Sequence, residues 1–141
     1  MSKKVRFGII GCGMIAQFHA ESILEIEGAE LAAAFDTYAP GVDRFAEQYH
    51  ISAYHDLDAM LASPDIDAVS ICTPSGLHTA QAVTAMKAGK HVVCEKPMSL
   101  NSTDAAAIKA AAERSGKLFM TAHVVRFMAP YAYLKTVVDA G

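Results

Sequence analysis

The feature that most constrains this chain is the alternation of six short apolar segments with stretches of helical periodicity. The segments are apolar on both faces, as is typical of strands buried in a parallel sheet. Strands separated by helices form right-handed crossovers, which place helices on both sides of the sheet. The sequence therefore predicts an α/β fold, a doubly wound parallel sheet in three layers with strand order 3-2-1-4-5-6. The predicted strands are 5–10, 29–36, 51–54, 67–73, 91–95 and 118–124.

Apolar residues recur with helical spacing in the first and last predicted helices. The first runs from Met14 to about Glu27, and Gly28 follows it in the position of a C-cap glycine. Its helical spacing is carried by Ile15, Phe18, Ser22 and 24–26. The last predicted helix begins at Pro130, and we expect its apolar side to lie bare, together with the edge of strand six. The apolar side consists of Tyr131, Leu134 and Val138.

A glycine-rich turn joins the first strand to the first helix. The run 11–16 has the pattern G-x-G-x-x-A, which in a strand–turn–helix context is the fingerprint of a dinucleotide-binding Rossmann fold. Gly11 permits the tight turn, Gly13 lets a pyrophosphate approach the backbone, and Ala16 allows the helix to lie close to the strand. The helix start offers N–H groups and a positive dipole end to the phosphates. An ordinary glycine turn is the alternative interpretation of the motif alone.

Asp36 ends the second strand, 25 residues after Gly11 (36 − 11). This spacing fits the carboxylate that binds the ribose hydroxyls of the adenosine half of the cofactor. The alternative is a solvated aspartate at a strand end. Residues 37–40 contain no arginine or lysine to pair a 2′-phosphate, so we expect NAD to be preferred over NADP, with Arg44 as the one group that keeps NADP possible.

Further polar residues follow the ends of strands four, five and six, where parallel sheets bind ligands. Lys96, between Glu95 and Pro97, follows a buried strand; it is either a functional lysine or half of a charged pair where the strand reaches the surface. His78, taken alone, is interpreted as a surface or helix-capping residue. His123 and Arg126 are either active-site groups or surface side chains. The remaining histidines are expected to be structural or exposed: His19, His50, His55 and His91.

Taken together, these motifs resemble the glucose-fructose oxidoreductase and inositol dehydrogenase family, the Gfo/Idh/MocA oxidoreductases. The matching motifs follow one another in order over nearly the whole chain, and the Glu-Lys-Pro triplet is the most specific of them. They are Gly11-x-Gly13-x-x-Ala16, Asp36, Thr73-Pro74-x-x-x-His78, Glu95-Lys96-Pro97 and His123-x-x-Arg126-Phe127.

The resemblance implies roles for individual residues. Lys96 would be the catalytic lysine, touching both the nicotinamide ribose and a substrate hydroxyl, and Pro97 would follow a cis peptide. His123 and Arg126 would lie on the substrate side, and no metal is implied. The implied cofactor-binding residues are Gly11, Cys12, Gly13, Met14, Ile15, Asp36, Thr73, Pro74, His78, Glu95, Lys96 and Pro97.

The resemblance also implies an activity: hydride transfer between NAD(P) and a secondary alcohol of a sugar, sugar derivative or cyclitol. Two other functions stay open, an NAD-dependent glycosidase that oxidises the sugar transiently and a non-catalytic dinucleotide-binding regulator. Family members carry a second, substrate-binding domain. We therefore expect residues 1–141 to be the dinucleotide-binding domain, inactive without that partner domain, of an enzyme that forms a homo-oligomer.

Composition argues against several other classes of protein. The net charge of −3 gives no electrostatic case for nucleic acid or an anionic membrane, and no apolar run reaches the roughly 20 residues of a membrane span. The N-terminus lacks the apolar region of a signal peptide. Three widely spaced cysteines argue against disulfides and a zinc site, so we expect a protein of the reducing cytoplasm.

Overall fold

The computed structural model describes residues 4–141. It contains one six-stranded sheet in the order β3-β2-β1-β4-β5-β6, with every neighbouring pair parallel, which confirms the predicted order. The strands are β1 (Val5–Ile10), β2 (Ala29–Phe35), β3 (Ser52–Tyr54), β4 (Ala68–Ile71), β5 (His91–Cys94) and β6 (Phe119–Thr121). The helices are α1 (Met14–Glu25), α2 (Ala39–Tyr49), α3 (Leu57–Ala62), α4 (His78–Lys87), α5 (Ser102–Ser115) and α6 (Ala129–Ala140).

Two separate apolar cores, one on each face of the sheet, hold the helices in place. Consecutive residues of a strand point to opposite faces, so Ile9 belongs to one core and Ile10 to the other. The core around Ile9 includes Ala16, Ala20 and Ile23 of α1 and packs α2 beside it. The core around Ile10 joins α3, α4 and α5. Helices α1 and α4 therefore lie on opposite faces of the sheet, which is what makes the point between β1 and β4 a switch point.

Helix α1 differs from the sequence prediction in its end and in its buried face. It ends at Glu25, and its C-cap is Ile26 in an extended conformation, so Gly28 is not the C-cap. Its buried residues are Ala16, Ala20 and Ile23, whereas Phe18 is 59% exposed. Two stripes of the helix have apolar spacing, and the one with alanines faces inward because small side chains let the helix lie close to the strands.

The end of the sheet is shorter than predicted. β6 stops at Thr121, because the His123 N–H donates to the Thr121 carbonyl oxygen and turns the chain into a 3-10 helix, Val124–Phe127. Helix α6 follows and buries none of its residues. The expected bare apolar side is confirmed by the exposed fractions of Tyr131 (52%), Leu134 (53%) and Val138 (75%).

Candidate functional site

Gly11 is fixed by its backbone conformation and by the neighbouring strand. Its φ is +91°, a region that favours glycine, and its N–H donates to the Phe35 carbonyl oxygen at 2.8 Å. A Cβ at this position would lie 2.7 Å from the Cγ2 of Thr73, well inside van der Waals contact. The turn after β1 therefore accepts only glycine here, for reasons internal to the fold.

Gly13 is glycine for a different reason. It is the N-cap of α1 with an ordinary φ of −78°, and a Cβ added to it would meet no atom within 4 Å. No side chain caps the helix, and the first turn contains no acidic residue. The N–H groups of this turn and the positive end of the helix dipole thus face open space, which is the arrangement that binds a pyrophosphate. The turn at Gly13 and the start of α1 therefore fit the pyrophosphate of a dinucleotide.

Asp36 connects the end of β2 to the glycine turn. Its Oδ2 accepts the Cys12 N–H at 2.7 Å, and its Oδ1 accepts the Tyr38 N–H at 2.8 Å. Each carboxylate oxygen accepts more than one hydrogen bond, so both retain capacity for ribose hydroxyls. Burial, and then the nearby Asp36 charge, raise the pKa of the Cys12 thiol to about 12, which keeps it protonated beside this carboxylate.

These elements form one groove along the carboxyl ends of β1, β2 and β4. The Thr73 hydroxyl closes one wall by donating to the side-chain oxygen of Gln81 on α4. Five of the predicted cofactor-binding residues come together in this groove: Gly11, Gly13, Asp36, Thr73 and Pro74.

His78 is neither a surface residue nor a side-chain helix cap. It is only 1% exposed, and its ring nitrogens Nδ1 and Nε2 lie 2.8 Å from the carbonyl oxygens of Pro97 and Thr73. Because both are occupied by the protein, the histidine ties the loop after β4 to the loop after β5 and does not face the groove as a ligand.

Glu95 is the most buried acid at the carboxyl end of the sheet, with 7% exposure. Its Oε1 lies 3.0 Å from Nε2 of His19 on α1, and its Oε2 accepts the backbone N–H of Lys96 at 3.0 Å. The other ring nitrogen of His19, Nδ1, lies 2.6 Å from the hydroxyl of Ser70 on β4. The Lys96–Pro97 peptide bond is cis, as the resemblance implies.

Lys96 lies between Glu95, which is bonded to His19, and Pro97, whose carbonyl oxygen is bonded to His78. Its side chain is exposed, and within residues 4–141 no hydrogen bond or ion pair holds its ammonium. It opens onto a second groove, which lies between α1 and β6 on the Ile9 side of the sheet. Lys96, Glu95, His19 and His123 border this groove, and its walls are otherwise mostly apolar: Phe7, Ile15, Phe18, Met120, Val124 and Phe127.

Three residues of the site were missed by the sequence analysis: His19, Ser70 and Gln81. His19 lies three residues after the buried Ala16, and this spacing placed it on the sheet side of the helix. Ser70 was the one hydroxyl in an apolar strand, a second available signal. Five predicted residues line neither groove: Cys12, Met14, His78, Pro97 and Arg126. Of these, Met14 is 79% exposed, and Arg126 is exposed in the 3-10 helix after β6.

Within the described residues, no three His, Cys, Asp or Glu side chains lie together in a group that could hold a metal ion. In the same part of the chain, no helix has the length and apolar character of a membrane span.

Comparison with known proteins gives matches to oxidoreductases. Residues 5–123 match the model of a family described as oxidoreductases with an NAD-binding Rossmann fold. Over 132 residues the chain is 37% identical to scyllo-inositol 2-dehydrogenase (NADP(+)) IolU of Bacillus subtilis, covering 93% of this chain and 40% of that protein. It is 32% identical over 138 residues to myo-inositol 2-dehydrogenase of Thermotoga maritima, covering 97% of this chain and 41% of that protein.

A solved structure is also similar, that of scyllo-inositol dehydrogenase from Lactobacillus casei with bound NAD(H) and scyllo-inositol. The TM-score is 0.90 at 34% sequence identity, covering 99% of this chain and 42% of that one. The chain thus spans about two fifths of the length of these relatives.

Proposed function

Because the chain belongs to the Gfo/Idh/MocA family of oxidoreductases, with its NAD-binding Rossmann fold, we propose that it is the cofactor domain of a dehydrogenase acting on a sugar, sugar derivative or cyclitol. The reaction is hydride transfer between the nicotinamide and a secondary alcohol carbon. One observation carries the proposal. Lys96, an exposed lysine whose ammonium has no partner among residues 4–141, lies at the same carboxyl ends of the strands as a groove built from Gly11, Gly13 and Asp36.

In this proposal the dinucleotide is held by the backbone and by one carboxylate. The free N–H groups at the start of α1 bind the pyrophosphate, since Gly13 leaves their approach open. Asp36 accepts hydrogen bonds from the ribose hydroxyls, and its charge disfavours a 2′-phosphate. We therefore propose NAD as the preferred cofactor. Arg44, whose guanidinium lies 5.8 Å from the centre of the Tyr38 ring, is the nearby cation that could admit NADP.

Lys96 is the proposed catalytic residue. Its ammonium donates a hydrogen bond to the reacting substrate oxygen and polarises it, so that charge developing on that oxygen is stabilised. The nicotinamide, when bound, supplies the carbon that accepts or releases the hydride. The apolar walls beside Lys96, among them Phe18 and Phe127, exclude water once they are covered. His123 and Arg126 remain proposed substrate-side residues.

The other parts of the proposal concern what lies around this domain. We propose a second, substrate-binding domain that contributes the acid/base, supported by the chain spanning about two fifths of its relatives' length. We also propose a homo-oligomer, supported by the exposed apolar face of α6, and a reducing cytoplasmic location. The three free thiols Cys12, Cys72 and Cys94 support that location.

The test has a binding part and a turnover part. The binding part titrates this chain with NAD and NADP and follows the heat of binding; saturable binding that is tighter for NAD is expected. The turnover part supplies the natural full-length protein with NAD and scyllo-inositol, myo-inositol or a nucleotide sugar. Net NADH release is expected. Glycoside cleavage without net NADH, or binding without any turnover, would contradict the dehydrogenase proposal.

A further inference from the structure

A chain of polar groups runs beneath Lys96 from one face of the sheet to the strand end. The Ser70 hydroxyl lies 2.6 Å from Nδ1 of His19, and Nε2 of the same ring lies 3.0 Å from Glu95 Oε1. Glu95 Oε2 then accepts the Lys96 N–H at 3.0 Å. Ser70 is 1% exposed, and the side chains of His19 and Glu95 are 14% and 9% exposed. The groups are therefore largely buried, and their hydrogen bonds are to one another.

The protons in this chain of groups are assigned by their chemistry. An ionised carboxylate only accepts hydrogen bonds, so Nε2 of His19 is the donor in its hydrogen bond with Glu95. The Ser70 hydroxyl fixes the plane of the imidazole through the opposite nitrogen. Glu95 thus links a side chain of α1 to the backbone of Lys96, although His19 and Glu95 are 76 residues apart in sequence.

Serine, histidine and carboxylate in this order resemble the triad of a hydrolase. Ser70, however, lies in the middle of β4 and is 1% exposed, so no substrate carbonyl could reach its oxygen. The cluster therefore holds a structure in place and is not a nucleophile.

We propose that His19 is a positioning residue for Lys96, a role that rests on the proposed dehydrogenase function. His19 engages the Glu95 carboxylate and turns it onto the Lys96 backbone, so that Glu95 does not pair with the Lys96 ammonium. The ammonium stays available for the substrate oxygen, and the N–H···O bond fixes the direction in which the side chain leaves the strand.

The first test measures the hydrogen bond itself and needs no substrate. This chain, labelled with [15N]lysine, is compared with His19→Ala, His19→Gln and Ser70→Ala by amide hydrogen exchange. In His19→Ala, exchange at the Lys96 amide should rise about tenfold, the loss of one bond to a charged acceptor. His19→Gln retains an N–H near the position of Nε2 and should restore most of the protection. The Lys109 amide in α5 reports whether the whole fold has loosened.

His55→Ala is the matched control, because His55 is an exposed histidine on the opposite edge of the sheet whose Nε2 pairs with Asp43 at 2.8 Å. It should leave the Lys96 amide unchanged. If His19→Ala fails to fold, Ser70→Ala removes only the hydroxyl and should give a smaller rise at the same amide. Unchanged Lys96 exchange in a folded His19→Ala chain would overturn the proposal.

The second test measures turnover in the natural full-length protein with NAD and scyllo-inositol as the probe substrate. His19→Ala should lower kcat by about 10²-fold, as misplacement of a catalytic group does, and His19→Gln should recover part of it. The KM for NAD should stay within threefold, because no cofactor contact is removed. Equal kcat for His19→Ala and wild type would overturn the proposal. A wild type without turnover on scyllo-inositol, myo-inositol and a nucleotide sugar would instead refute the proposed function, and the amide measurement would then decide the hydrogen-bond arrangement alone.

Discussion

The groove of Gly11, Gly13 and Asp36 and the groove beside Lys96 differ in how far residues of this chain enclose and stabilise each of them. In the groove of Gly11, Gly13 and Asp36, the carboxylate and the glycine turn hold each other through hydrogen bonds, and Gln81 secures the wall. In the groove beside Lys96, the buried polar groups are hydrogen-bonded, but the ammonium has no partner among residues 4–141 and the apolar walls are exposed. The first groove is therefore held together by its own groups, whereas the second is open, and in our proposal a second domain covers it.

The largest expected effect concerns the open groove. Lys96→Ala should lower turnover of the natural full-length protein by about 10²–10³-fold, the effect of losing one donor to a developing oxyanion. NAD affinity should stay within about tenfold, or roughly 1.4 kcal/mol. Steady-state kinetics measures turnover and calorimetric titration measures NAD affinity, with replacement of the exposed Lys109 of α5 by alanine as the control. Wild-type turnover in the variant would show that Lys96 is not a catalytic residue and is only a charged residue at the end of a strand.

A pair of glycine variants tests the groove of Gly11, Gly13 and Asp36. Gly11→Ala should destabilise the fold by about 2–4 kcal/mol, because φ is positive and the new Cβ meets Thr73. Gly13→Ala should leave stability within about 0.5 kcal/mol, since nothing lies near its Cβ, yet weaken NAD binding about tenfold by obstructing the pyrophosphate. Urea unfolding and NAD titration separate the two effects. Gly28→Ala, which also has open space around it, is the control. Equal NAD affinity in Gly13→Ala would argue against this groove.

Replacing the charge in the same groove should change cofactor choice. Asp36→Asn keeps an acceptor oxygen for the Cys12 N–H but removes the repulsion of a 2′-phosphate. We expect the ratio of NADP to NAD affinity to rise about tenfold, or roughly 1.4 kcal/mol. Titration with both cofactors measures the ratio, and replacement of the exposed Glu47 of α2 by glutamine provides a control of equal charge change. An unchanged ratio would mean that the ribose lies elsewhere.

The exposed surface beyond β6 should cause self-association of this chain. Leu134 and Val138 on α6 are more than half exposed and lie on one helical face. Sedimentation velocity at increasing concentration should show association, and the double variant Leu134→Glu, Val138→Glu should abolish it. Thr136→Glu, in the same helix, is the control for added charge. A wild type that stays monomeric throughout would show that α6 is covered in another way.

The last expected effect is a pH dependence to which Cys94, a thiol in the core around Ile10, contributes. Burial, and then the nearby Glu95 charge, raise the pKa of Cys94 from an ordinary value of 9.0 to about 12. Above pH 9 the unfolded thiol loses its proton while the folded one keeps it, so the free energy of unfolding falls as pH rises. The urea concentration at the unfolding midpoint should therefore fall less between pH 7.5 and pH 10.5 in Cys94→Ala than in wild type. Equal falls would contradict the raised pKa.

The sequence predicted the groove of Gly11, Gly13 and Asp36 far better than the open one, and the reason is the range of the interactions. Gly11, Gly13 and Asp36 belong to motifs in which local backbone geometry and a strand end determine the role. The bond of His19 to Glu95 spans 76 residues, so no local pattern contains it. The inward face of α1 was equally ambiguous, since the stripe with Phe18 and the stripe with Ala20 both have helical spacing. Only packing against the strands decides between them.

The placement of Lys96 between two histidines has a consequence for how the protein tolerates change. His19 comes from α1 and His78 from α4, so the segment 95–97 is attached to helices in both outer layers of the fold. Repacking of either core that shifts one helix would move the lysine even though no residue near it had changed. Sequence drift in the two layers is thereby coupled, and related enzymes should accept core substitutions in compensating sets drawn from both sides of the sheet.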